Sequence, residues 1–123
     1  MMNSLRTGYF SYIIPLLFTS MGVTMIERQE ITINQPISCL ELYKLMKKDW
    51  NTKEYNHFTY DKEKDMITLP ATKKWIVTIY PFDNLIILNL CQLEEGETFI
   101  SPDDFLCIYT NYLHQLLIKN QLI

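Results

Sequence analysis

The stretch Trp75 to Cys91, WIVTIYPFDNLIILNLC, decides how this chain folds. Two apolar, β-branched runs flank Pro81-Phe82-Asp83-Asn84. Proline presets φ for a turn, and Asp and Asn tolerate the backbone conformations that close one, so the stretch reads as a β-hairpin with a four-residue loop. That loop sets Tyr80 opposite Leu85. One face of the hairpin then carries Trp75, Val77, Ile79, Ile86, Leu88 and Leu90, all apolar. The other carries Ile76, Thr78, Tyr80, Leu85, Ile87 and Asn89, a mixture. The apolar face requires helices over it, and a one-residue slip in register would exchange the two faces.

Working back towards the N-terminus, Ile31 and Ile33 alternate with Thr32 and Asn34 in a first strand, about Glu27 to Asn34, which Pro36 stops. A helix start follows, with Ser38 as N-cap, Glu41 closing a capping box, and Ile37 and Leu42 as its hydrophobic staple. Cys39, Leu42, Tyr43, Met46 and Trp50 recur at helical spacing as its buried stripe, widened by Leu40 and Leu45. His57 to Asp61 and Met66 to Leu69 read as two short strands turned by Lys62-Glu63-Lys64-Asp65. Beyond the central hairpin, Ser101 caps a second helix with Pro102 at its first position. Asp103 and Asp104 complement the helix dipole, and Ile100 staples to Phe105. Phe105, Ile108, Tyr109, Tyr112, Leu113, Leu116 and Leu117 form its apolar stripe.

The expected fold is therefore α+β, a single domain in the order β-α-β-β-β-β-α. Its sheet is mostly antiparallel, of four to five strands, with two helices on one face.

The segment before this domain needs its own reading. Tyr9 to Ile26 is uncharged and mostly apolar, and Arg6 precedes it, as in a signal or an anchor. Pro15 interrupts it, Ser11, Thr19 and Ser20 dilute it, and no small-residue cleavage site precedes Ile26. Gly22-Val23 can be encoded by GGAGTN, which resembles a ribosome-binding site just before the Met25 codon. Residues 1–24 are thus expected to be an extension ahead of a true start at Met25, with residues 25–123 as the domain. The alternative is a membrane-anchored or exported protein held through residues 9–26.

Composition narrows the function classes. The chain of 123 residues is 48% hydrophobic with a formal charge of −3, globular and mildly acidic, which argues against a duplex nucleic-acid binder. No Lys or Arg occurs between Trp75 and Ile118, while Asp83, Glu94, Glu95, Glu97, Asp103 and Asp104 do. An acidic segment of this kind suits a basic protein partner. Cys39, Cys91 and Cys107 lack metal or disulfide spacing and read as small hydrophobes of a reducing, cytoplasmic setting.

Chemistry is thinly represented. After Met25 the only glycine is Gly96, which excludes a P-loop or a dinucleotide fingerprint. The two histidines, His57 and His114, cannot form a three-histidine zinc site. Asp103, Cys107 and His114 share a helix face, which reads as the polar edge of an amphipathic helix before it reads as a nucleophile with its base. Glu94 to Glu97 lacks the ligand spacing of a calcium loop. No catalytic residue, metal or cofactor is assigned. The expectation is a non-enzymatic interaction module, an adaptor, regulator or inhibitor. It would use the mixed face and the acidic segment Glu94, Glu95, Glu97, Asp103 and Asp104 towards a protein partner or a second copy. The order strand, helix, meander, long final helix also resembles a trimmed helix-grip (START-like) fold, which normally has more strands. That resemblance implies the alternative of a small apolar ligand held between sheet and terminal helix.

Overall fold

The computed structural model describes residues 24–50, 58–71, 74–93 and 100–123. Five strands and two helices follow in the order β1 (Thr24–Thr32), α1 (Cys39–Trp50), β2 (Thr59–Asp61), β3 (Met66–Pro70), β4 (Trp75–Phe82), β5 (Leu85–Gln92) and α2 (Pro102–Lys119). They build one sheet in the order β1-β5-β4-β3-β2, antiparallel throughout. The expected α+β architecture is the one observed. β1 opens three residues before the expected Glu27, so Met25 and Ile26 are strand residues, and a register shift lies between Met25 and Glu27.

The central hairpin turns more tightly than its sequence suggests. Phe82 pairs with Leu85 and Tyr80 with Ile87, so the loop is Asp83-Asn84 alone and Tyr80 does not face Leu85. Asp83 takes φ 57°, a conformation that Asp tolerates better than most residues and that a two-residue hairpin requires. Pro81 lies inside β4 rather than in the turn. Because the slide is by two residues, each side chain keeps its face.

The apolar face lies under both helices. Trp75 meets the Phe105 ring of α2 edge-on at 4.8 Å, and Tyr43 of α1 stacks at 5.8 Å on Tyr60, which pairs through Ile67 with Ile79 of that face. Val77, Ile79, Ile86, Leu88 and Leu90 are completely buried there with Leu42 and Met46 of α1 and Leu106, Leu113 and Leu117 of α2. Each such side chain removed from water stabilises the fold by about 1.5–3 kcal/mol before entropy is counted.

Both helix starts follow the sequence signals in part. The Glu41 amide donates to Ser38 Oγ at 3.1 Å, and the Ser38 hydroxyl in turn donates to Glu41 Oε1. Ser101 Oγ accepts from the Asp104 amide. Ile100, however, stands exposed instead of stapling α2, and Phe105 spends its apolar surface on Trp75. Ile108 is 55% exposed and Leu106 takes its expected place in the core, because α2 presents Leu106, Leu113 and Leu117 to the sheet. On α1, Leu40 is likewise exposed, and the Trp50 side chain lies outside the described set.

Candidate functional site

Every second residue of β4 and β5 points away from the helices. Ile76, Thr78, Tyr80, Leu85, Ile87 and Asn89 share that second face, as expected, joined by Cys91. Their exposure is unlike that of an open surface: Ile87, Asn89 and Cys91 are 0% exposed, Thr78 1% and Tyr80 6%, with Ile76 and Leu85 half-buried.

Strand pairing adds a feature that hairpin-level reading misses. Thr59 stands opposite Thr68, Thr68 opposite Thr78, Thr78 opposite Asn89, and Asn89 opposite Arg28. A polar row thus crosses all five strands on the mixed face. It starts at the open edge with the Thr59 and Thr68 hydroxyls 3.0 Å apart and ends at Arg28, whose guanidinium meets Glu30 at 2.9 Å. In the middle, Asn89 Nδ2 donates to the Tyr80 hydroxyl at 3.5 Å, while among the described residues Thr78 Oγ1 and Asn89 Oδ1 have no hydrogen-bond partner of good geometry. The soft Cys91 thiol beside Thr78 is a weak substitute. Only the sheet order brings these residues into line, so no local sequence signal could have found the row.

The acidic segment is described from Asp103 onward; Glu94, Glu95 and Glu97 lie outside the described residues. Asp103 and Asp104 stand exposed at the start of α2. Asp103 is held by Gln29 of β1, whose Nε2 donates to Asp103 Oδ1 at 2.8 Å and to the Asp103 carbonyl at 3.2 Å. The same amide reaches Cys107 Sγ at 3.4 Å, and the Thr110 hydroxyl donates to Gln29 Oε1. Asp103 and Cys107 therefore do come together, but around a glutamine that clasps α2 to the sheet. His114 is exposed and takes no part in this clasp, and His57 lies outside the described residues.

The other two thiols are chemically quiet. Burial pushes Cys39 and Cys91 up to about 12, far from the thiolate state near neutrality. Burial also pushes the Tyr80 hydroxyl up to about 12. Among the described residues no group of three or more His, Cys, Asp or Glu could hold a metal ion, and no described helix is long and apolar enough to cross a membrane.

At the C-terminal ends of the helices, Leu45, Lys48, Asp49, Leu116, Lys119 and Asn120 line an open groove of about 190 Å³. Asp49 links the helices there, accepting from the Tyr112 hydroxyl at 3.1 Å and lying 3.7 Å from Lys119 Nζ. It is smaller than a drug-sized ligand site and lies outside the sheet-to-helix space. No protein-family model matches the chain, and no match is found among curated proteins or among solved structures.

Proposed function

We propose that this chain is a non-enzymatic protein-interaction module whose accessible contact surface is the acidic, apolar start of α2. The observation that supports it is a set of large apolar side chains left in water beside carboxylates. Leu93 and Ile100 are each 40% exposed and bracket the acidic segment in sequence, and Ile108 is 55% exposed. Asp104 and Ile108, four residues apart, share one face of α2. Apolar groups rimmed by charge are the composition of an interface: the apolar part supplies affinity and the rim supplies orientation and choice of partner.

With no Lys or Arg from Trp75 to Ile118, this end attracts a partner that offers apolar side chains within a basic patch. Such a partner is a protein of the cytoplasm rather than a nucleic acid, whose phosphates this charge repels. The mixed sheet face, with Ile76, Thr78, Tyr80, Leu85, Ile87 and Asn89, is the second contact surface of the reading. Ile76 and Leu85, half-buried, are its accessible part, while Thr78, Tyr80, Ile87 and Asn89 are buried.

The experiment is native mass spectrometry of the protein purified gently from its own cells, wild type beside Ile108→Asp. The expected result is a second polypeptide on the wild type, lost from the variant while the far-ultraviolet circular dichroism of the two is the same. A wild type that carries no polypeptide, or a variant that keeps it, overturns this surface.

A further inference from the structure

α2 turns Leu106, Leu113 and Leu117 to the sheet and keeps an opposite stripe in water. On that outer stripe Asp104, Ile108, Asn111, Gln115 and Ile118 are all exposed, and they recur at intervals of 4, 3, 4 and 3 residues. This is the spacing of a coiled-coil seam, which holds one line of side chains towards a facing helix. Ile108 and Ile118, 55% and 46% exposed, supply its apolar part.

Charge divides the same face. Asp103 and Asp104 mark the start of the helix, whereas Lys119 stands next to Ile118 at its end, and Lys48 of α1 lines the same open groove as Lys119. Lys119 lies 3.7 Å from Asp49 yet keeps 73% of its side chain in water, so its charge faces outward. One end of the helix therefore joins apolar surface to acid, and the other joins apolar surface to base. Each end offers what the other attracts.

We propose that this outer face of α2 docks on the same face of a second copy of the chain, the two helices running antiparallel about a two-fold axis. The proposal rests on the interaction reading of the acidic start of α2 and names its partner. With the axis level with Leu113, Ile108 meets Ile118 of the second copy and Asn111 meets Gln115 of the second copy, and each pair occurs twice. The Asn111 and Gln115 amides both donate and accept, so they satisfy each other and fix the register. Asp104 falls three residues, about 4.5 Å along the axis, from Lys119 of the second copy, within reach of a lysine side chain. Antiparallel packing also sets each helix N-terminus beside the oppositely signed C-terminus of the other. A parallel pair would instead set Asp104 against Asp104 and Lys119 against Lys119.

Two pairs of isoleucines are a small contact beside the roughly 1,200 Å² of a standard interface, so the dimer is weak and is sought at about 0.2 mM protein. The test is analytical ultracentrifugation of the purified full chain at that concentration and after dilution. The wild type should sediment as a dimer that dissociates on dilution. Ile118→Asp should be monomeric, with the far-ultraviolet circular dichroism of the wild type. Asp104→Lys and Lys119→Glu should each weaken the dimer about five-fold or more, and the variant carrying both should regain it, because the exchange restores the pair.

A monomeric wild type, a dimeric Ile118→Asp, or a double variant no better than the single ones overturns the second copy as the occupant. The interaction reading fails separately, when the protein from its own cells carries no polypeptide or when Ile108→Asp keeps the one it carries. A polypeptide of a different mass on that protein sustains the reading and overturns this partner.

Discussion

Thr78 and Asn89 stand directly opposite each other in the β4–β5 ladder, on the face away from both helices, and both are sealed from solvent. Among the described residues, Asn89 Oδ1 has no hydrogen-bond partner and Thr78 Oγ1 has only the weak Cys91 thiol beside it, so neither fully recovers the hydrogen bonds that water gives it in the unfolded chain. A buried, unsatisfied polar atom costs about 1–3 kcal/mol, and an apolar group of the same shape avoids that cost. Thr78→Val keeps the volume and the β-branch. The expected outcome is an increase in stability of about 1 kcal/mol, read as a higher urea midpoint at unchanged slope. A decrease would mean that the hydroxyl is satisfied in solution.

Placement of these residues on one face was legible from alternation alone, as were all seven elements, because period-2 and period-3.6 patterns are strong in this chain. The hairpin register was not. Pro81 and Phe82 look like turn residues, and only pairing with β5 and a positive φ at Asp83 reveal the shorter loop. Ile108 was misplaced for a related reason: Leu106 and Ile108 both extend the apolar stripe, and which one the sheet takes depends on how α2 is rotated by Gln29 and Trp75. The polar row and the Gln29 clasp needed strand order, which no single element encodes.

The turn itself is testable. Asp83 at φ 57° occupies a region where a β-branched residue is strained. Asp83→Val should cost about 1–2 kcal/mol on the per-residue penalty for left-handed backbone. Equal stability of the two proteins in urea would show that the loop is longer than Asp83-Asn84.

The end of α2 carries a signal that the sequence disguises. Gln121 takes φ 61°, its amide donates to the Ile118 carbonyl, and the Leu122 amide donates to the Leu117 carbonyl. That is a Schellman closure with buried Leu122 as its apolar contact, built on Gln where Gly is usual. Gln121→Gly should therefore stabilise the protein by about 1 kcal/mol, measured by urea denaturation. No gain would place Gln121 outside the left-handed region.

Alkaline pH should weaken the fold. Cys39 and Cys91 are raised from 9.0 to about 12 by burial, and Tyr80 from 10.0 to about 12. Below pH 9 these groups are protonated in both states and the stability they contribute is fully present. Above it the unfolded chain releases protons that the folded chain retains, so stability falls as pH rises towards the folded values. Each group contributes a slope of about 1.4 kcal/mol per pH unit within its window. Urea midpoints should be level up to pH 8.5 and decline from pH 9 to 10.5, less steeply in Cys91→Ala. A level profile across that range would contradict the burial of both thiols.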